Sequence, residues 1–303
     1  MKITNKSNLP KVIERAVIND PYDSSGSNIS TTRLIAPPRI RVLEMRNWDL
    51  IEDDVSNRIF SLLGQSVHHI LERSKLKVDL AERRLFYKDD KITNGWTLSG
   101  QFDLLSRQGD LTDFKVTSAW SALEAMEKGK SDWERQLNVL DWLIRNNDQE
   151  LRNNKGKELE VKSMYIMAIL RDWSKMKVMT SDNYPRKQVI MIPINRWTPQ
   201  EQDKYVEDRI KLHQLAEQQG EDLMVCTPEE RWRKETTYAV MKKNRRTAAR
   251  VLPSRKEAMK WIEDNHLKYN VNATVIERKG QDVKCENYCR VKQFCDYFQN
   301  TAF

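Results

Sequence analysis

"GQFDLLSRQGDLTDFK", Gly100–Lys115, sets two aspartates ten residues apart and places a lysine two positions after the second. The segment Trp96–Val116 reads as a hairpin around "SRQGD". Side chains alternate along a strand, so Asp113 and Lys115 share one face. If Leu105 pairs with Leu111 across the turn, the same register sets Asp103 directly opposite Asp113. Opposed Cβ atoms lie about 4.5–5.5 Å apart, where two like charges repel. A divalent cation turns that repulsion into a binding site, because two carboxylates plus water suit Mg²⁺ or Mn²⁺. An ammonium two residues on can then orient a water and stabilise charge on a phosphate. The alternative at this point is a surface hairpin whose charged side chains face solvent.

At 303 residues the chain is long enough for a substantial core, as one large domain or a domain with a satellite. Its 52 lysines and arginines stand against 44 acidic residues, a net charge of +8 that favours a polyanionic partner. No apolar run approaches membrane length, and "YIMAIL" (Tyr165–Leu170) and "VIMIPI" (Val189–Ile194) have the size of buried strands. No membrane partner is therefore expected. "MKITNKSNLPKVIER" has no apolar signal-peptide core, which argues for a cytoplasmic protein. In that reducing compartment the four cysteines read as metal ligands or core residues rather than disulfides.

Residues 1–30, with the turn-rich "NDPYDSSGSN" at Asn19–Asn28, read as a flexible lead-in. Asp54–Lys77 predicts an amphipathic helix with Ile59, Leu62, Leu63, Val67, Ile70 and Leu71 on its apolar face. Ser131 and Glu134 predict a capping box opening a second helix. Val161–Arg171 and Gln188–Ile194 read as strands, and Thr198, Pro199 and Glu201 start a helix that ends at Gly220. This order predicts an α/β core over 31–225. From residue 226 the texture changes to two short strands around a basic turn, a helix capped by Ser254 and Glu257, and "CENYCRVKQFC". Residues 226–303 therefore read as a small module attached to the core.

The pattern G-x-x-D, a turn, then a hydrophobic residue and D-x-K resembles the PD-(D/E)XK nuclease superfamily, particularly its RecB-like and phage exonuclease branch. In that family an upstream helix carries G-x-x-x-H, and "GQSVHHILE" supplies Gly64 and His68 with Glu72 one turn on. The resemblance implies a mixed central sheet flanked by helices. It implies that His68, Asp103, Asp113 and the Phe114 carbonyl hold one or two Mg²⁺ or Mn²⁺ ions, with Lys115 at the chemistry. The neighbouring His69 reads as structural. The family's later Q-x-x-x-Y helix finds Gln136 in "QLNVLDWLI", but position 140 is Leu and the nearest aromatic is Trp142. Gln136 is thus expected to contact the active-site lysine or the DNA backbone.

Cys285, Cys289 and Cys295 form C-x3-C-x5-C, with Cys226 lying 59 residues before them. Four thiolates meet the demand of a tetrahedral Zn²⁺ or a [4Fe–4S] cluster. Several RecB-like nucleases end in such a cluster, held by three C-terminal cysteines and one distant one, which implies iron–sulfur here. Two departures are the C-x3-C spacing, usually C-x2-C, and the place of Cys226, where the family's distant cysteine lies near the N-terminus. The run Lys242, Lys243, Arg245, Arg246, Arg250, Arg255 and Lys256 reads as a phosphate-contacting turn, with Arg33, Arg39 and Arg41 as a second candidate. The expected activity is an Mg²⁺- or Mn²⁺-dependent deoxyribonuclease, an exonuclease that takes DNA by its backbone and works beside replication or recombination proteins. The alternative is a non-catalytic DNA-binding subunit that retains the nuclease fold and cysteine module.

Overall fold

The structure is a computed structural model that describes residues 1–19, 26–74, 76, 79–147, 160–220, 222–269 and 273–301. The chain divides into two compact units, Met1–Val42 with Trp48–Leu223, and Leu43–Asn47 with Met224–Phe303.

The first unit carries, in chain order, β1 (Lys2–Thr4), α1 (Lys11–Ile18), β2 (Ile29–Ser30), α2 (Thr31–Ile35), α3 (Pro38–Arg46, whose end belongs to the second unit) and β3 (Glu52–Asp54). Then follow α4 (Ile59–Arg73), β4 (Leu80–Lys88), β5 (Thr97–Leu105), β6 (Asp110–Thr117), α5 (Ala119–Lys128) and α6 (Ser131–Asn146). It ends with β7 (Ser163–Leu170), α7 (Lys175–Thr180), β8 (Val189–Ile194) and α8 (Pro199–Gln218). Among the described residues a six-stranded mixed sheet runs β2-β5-β6-β7-β8, with β4 on β5. The β6–β7 and β2–β5 pairs are parallel, whereas β4–β5, β5–β6 and β7–β8 are antiparallel. This agrees with the α/β order read from the elements and is the mixed sheet flanked by helices that the resemblance implies.

Packing explains the elements. Along β7 every second residue is buried, so Met164, Ile166, Ala168 and Leu170 line one face. Helix α6 presses Leu137, Leu140 and Leu143 into the core. Gly100 permits this approach: a Cβ there would stand 2.6 Å from Leu143 Cδ1 and 2.8 Å from Leu140 Cδ2. Buried Asp141 on the same helix is held by Arg196 at 2.7 Å and Gln202 at 2.6 Å, which offsets the cost of burying its charge. The Thr198–Glu201 capping box starts α8 as predicted, with Pro199 at its first position.

Three expectations change. Within residues 1–30, read as a flexible lead-in, Lys2–Thr4 pairs in parallel with Glu52–Asp54, and Lys11–Ile18 is helical; positions 20–25 of the turn-rich stretch lie outside the described residues. Ser131 makes no capping box, because Lys130 occupies the cap and Glu134 instead accepts the Trp197 Nε1–H at 2.6 Å. Helix α4 is shorter than predicted, with a 3-10 turn over Val55–Arg58, and none of its side chains is fully buried. Leu63 and Ile70 of its predicted apolar face are exposed.

The second unit holds β9 (Arg233–Lys234), β10 (Thr237–Lys242), β11 (Arg250–Leu252), α9 (Arg255–Tyr269), β12 (Ala273–Arg278), β13 (Gln281–Asp282), α10 (Val283–Asn287) and α11 (Asp296–Asn300). The predicted basic turn joins β10 to β11, and β12 adds a third antiparallel strand on the other edge of β10. Ser254 Oγ accepts the Glu257 N–H at 3.2 Å, capping α9 as expected. No helix among the described residues is long and apolar enough to cross a membrane.

His213 on α8 is fully buried with Nε2 3.1 Å from the Leu34 carbonyl. Burial, with Arg209 and Arg41 nearby, pushes its pKa down to about 4. The unfolded chain therefore takes up this proton first, and stability falls as pH drops from the ordinary histidine value of 6.5 toward 4. We predict that His213→Gln, which keeps a donor for Leu34, removes on the order of 3 kcal/mol of that loss, read by urea denaturation at pH 7 and pH 4.5.

Candidate active site

The hairpin closes as its sequence dictates and then opens. Gly109 takes φ +95°, Ser106 N–H donates to Asp110 O at 3.0 Å, and Leu105 faces Leu111 as predicted. The β5–β6 ladder stops after Leu104↔Thr112, one step short of Asp103 and Asp113. There the Phe114 N–H donates at 2.6 Å to Asp103 Oδ2 instead of to a strand carbonyl. β6 pairs with β7 along Asp110–Thr117 and past Thr112 with β7 only, and β2 takes the freed edge of β5 at Leu98 and Ser99.

Two groups of side chains flank this opening. In the first, His68 from α4 sets Nδ1 3.4 Å from Glu82 Oε1 and 3.5 Å from Asp103 Oδ1. Ligand atoms of His68, Glu82 and Asp103 all lie within 4.8 Å of one another. His68 Nε2 is 3.0 Å from the Phe114 carbonyl. In the second group Lys115 Nζ lies 2.7 Å from Asp113 Oδ2 and donates at 3.1 Å to Gln136 Oε1. Gln136 Nε2 in turn donates at 2.9 Å to Asp113 Oδ1, closing a triangle. Gln136 thus meets the lysine, as the motif implies.

The electrostatics follow from the burial of two acids side by side. Asp103 is pushed up to about 7, first by burial and then by the charge of Asp113. His68 is raised, chiefly by its bond to Glu82, against the opposing effect of burial. For Lys115, burial works to lower the pKa, but Asp113 outweighs it and the net shift is upward. Lys115 is therefore an ammonium at neutral pH, able to donate and to neutralise charge.

The donor set of imidazole and carboxylates fits a hard or borderline divalent cation, and a cation beside Asp103 would relieve the repulsion that raises it. The structure redistributes the expected ligands, however. The carboxylates face Nδ1 of His68 while the Phe114 carbonyl faces Nε2, so one cation cannot use both sides of this ring. Asp113 is engaged by Lys115 and Gln136 rather than by the His68 group. Glu82, absent from the sequence reading, completes that group. It lies in the β4–β5 register opposite Asp103, between Ala81↔Leu104 and Arg83↔Phe102. Glu72 is not a member of the group, His69 is exposed, and a Cβ on Gly64 would meet nothing within 4 Å.

In the second unit Cys226 is pushed up to about 12 by burial, then by Glu230 and by the charges of Cys285, Cys289 and Cys295. Cys285 is pushed up to about 11 by burial, with Cys289, Asp282 and Cys295 adding. The fold therefore brings Cys226 within electrostatic reach of the three C-terminal thiols. The residues Lys243, Arg245, Arg246, Arg250, Arg255 and Lys256 are exposed. Arg39 and Arg41 are not phosphate contacts: Arg39 is buried and donates to the Leu223 carbonyl, and Arg41 pairs with Glu217 at 2.5 Å over the Trp96 ring.

The fold and this site define an α/β protein with a candidate cation-binding centre at an opened hairpin. No protein-family model matches the chain, and no curated protein matches it. Among solved structures it is similar to one described as "Crystal structure of SSO0001", with 16% identity, a TM-score of 0.43, and coverage of 67% of this chain and 84% of that one.

We predict that Glu82→Gln weakens Mn²⁺ binding by about tenfold or more, since it removes one charged ligand and keeps the shape. Titration calorimetry on the intact protein checks this, and unchanged affinity would exclude Glu82 from the cation site.

Proposed function

We propose that the chain is a metal-dependent deoxyribonuclease of the PD-(D/E)XK class, of the RecB-like branch, and an exonuclease serving DNA processing in replication or recombination. The observation that carries this reading is the Asp113–Lys115–Gln136 triangle standing beside His68, Glu82 and Asp103. An ordinary surface hairpin leaves no reason to bury two aspartates beside a half-buried lysine.

Mg²⁺ or Mn²⁺, if held by His68, Glu82 and Asp103, would supply Lewis acidity toward the phosphate and an activated water. The chain's own residues do the rest. Asp113 and Gln136 hold the Lys115 ammonium through two contacts, which leaves one N–H for a phosphate oxygen or the attacking water. Because Lys115 stays protonated, its role is donation and charge neutralisation, not proton abstraction. The exposed basic turn between β10 and β11 supplies backbone contacts that carry no base information.

We further propose that Cys226, Cys285, Cys289 and Cys295 hold a [4Fe–4S] cluster with a structural role. The charges of Cys285, Cys289 and Cys295 act on Cys226, so the four thiols share one neighbourhood, and four thiolates meet the demand of such a cluster.

Asp113→Ala and Lys115→Ala are expected to lose about 100-fold or more of the cleavage rate with DNA affinity and melting temperature retained. End-labelled linear DNA and closed circular DNA, each with Mg²⁺, Mn²⁺ or EDTA, give the readout. Wild-type turnover by Asp113→Ala removes the mechanism, and cutting of closed circles removes the exonuclease assignment. For the cysteines, protein purified without oxygen is expected to absorb broadly near about 400 nm, and Cys226→Ala to bleach it. Retained colour places the fourth ligand elsewhere, and a colourless protein with one equivalent of zinc replaces the cluster.

A further inference from the structure

Charge is divided unequally between the two units. The second holds 18 lysines and arginines against 11 aspartates and glutamates, so it carries +7 of the chain's +8 in 85 residues. Within it, Trp232 and Tyr288 meet with ring centroids 5.3 Å apart and planes tilted by 59°. Both rings face solvent, Trp232 at 45% and Tyr288 at 68% exposure. Lys284 Nζ stands 5.4 Å over the Trp232 ring.

The pair is built into the fold. The Lys284 N–H donates to the Arg231 carbonyl at 3.1 Å, and β9 pairs with β13 through Arg233↔Asp282 and Lys234↔Gln281. Tyr288 caps α10 through its N–H to the Lys284 carbonyl at 2.9 Å. Trp232 is held at φ +54°, a left-handed conformation that a bulky side chain seldom adopts. A large ring left 45% exposed on a strained backbone lies outside the buried core, so core packing does not explain it.

We propose that Trp232 and Tyr288 form a stacking platform for the bases of single-stranded DNA. Trp232 braces Tyr288 from one side, the exposed part of the pair receives bases, and Lys284 with the net positive charge of the unit takes the phosphates. Base–aromatic stacking is indifferent to sequence because every base has a π-face, and it is denied to a duplex, whose bases are already stacked. The proposal takes its polymer from the nuclease reading and adds that the second unit holds the unpaired strand.

The test is fluorescence anisotropy with the full-length protein, in buffer without divalent cation. The probes are labelled oligo(dT), an abasic oligodeoxynucleotide of equal length, and a duplex of equal length. The wild-type protein is expected to prefer oligo(dT) to the abasic strand. Tyr288→Leu and Trp232→Ala are expected to lose roughly tenfold on oligo(dT), the worth of about one stack, with no loss on the abasic strand. Tyr288→Phe retains the affinity. Trp232→Gly, which relieves the left-handed backbone, loses binding without a fall in melting temperature. Equal losses on oligo(dT) and the abasic strand, or no preference by the wild-type protein, overturn the platform. Cleavage is scored apart: a protein that stacks the strand and never cuts removes the nuclease reading only, and one that cuts without the preference removes the platform only.

Discussion

A single hydrogen bond between a carboxylate and a backbone amide shapes the centre of the first unit. Asp103 Oδ2 accepts the Phe114 N–H at 2.6 Å where a β5 carbonyl would otherwise serve it. A buried amide must find an acceptor, so without Asp103 the strands would have to remain paired or leave a donor unsatisfied. With it, β5 and β6 part after two ladder pairs, β6 is free to run beside β7, and β2 occupies the vacated edge of β5. The wedge between the strands is where His68, Lys115 and Gln136 arrive from three elements. One aspartate therefore acts as a backbone surrogate through one oxygen and presents the other to the candidate cation site.

That arrangement is expensive for the protein alone. Asp103 and Asp113 are 7% and 2% exposed, and burial with mutual repulsion is what raises Asp103 toward neutrality. Each acid has a different remedy. Asp113 is offset by an ammonium at 2.7 Å and an amide at 2.9 Å, all within hydrogen-bonding reach. Asp103 has one backbone donor and a histidine 3.5 Å away, a distance too long for a hydrogen bond. The asymmetry separates the tasks: one acid positions the lysine, and the other keeps an oxygen for an outside charge.

Much of this was legible in the sequence because the relevant signals are local. D-x-K on one strand face, the Leu105–Leu111 register and the Gly109 turn follow from alternation and turn chemistry, and the structure agrees with all three. The helix bearing His68 was legible from its period, although its exposed Leu63 and Ile70 show that period marks conformation better than burial. Glu82 was missed because its partner is set by a second hairpin. Asn94–Gly95, at φ +45° and +77°, closes the turn that sets β4 against β5 and Glu82 opposite Asp103. That loop runs from Asp89 to Trp96, so register arithmetic from a two-residue Asn-Gly turn sets Phe86, not Glu82, opposite Asp103. Arg39 and Arg41 misled for the opposite reason. A basic cluster reports charge, not burial, and these two spend their donors on a carbonyl and a glutamate inside the unit.

Backbone strain ties the two functional proposals together through a shared physical pattern. Among the described residues the non-glycine positions with positive φ are Asn8, Glu82, Asn94, Trp232 and Asn244. Asparagine enters the left-handed region cheaply because its short amide satisfies the local backbone, so three of the five are ordinary turn chemistry. Glutamate and tryptophan have no such compensation, and each costs about 1–3 kcal/mol where it is held there. Neither side chain recovers that cost by filling the core, since Glu82 turns its carboxylate to His68 at 3.4 Å and Gln101 at 2.6 Å, and Trp232 is an exposed residue. The two unexplained strains thus fall at the candidate cation site in one unit and at the aromatic pair in the other. Positions where the fold sacrifices stability without packing in return are where an external ligand is the natural source of compensation. Here the ligand chemistries differ: a divalent cation for the carboxylate and an unpaired base for the ring.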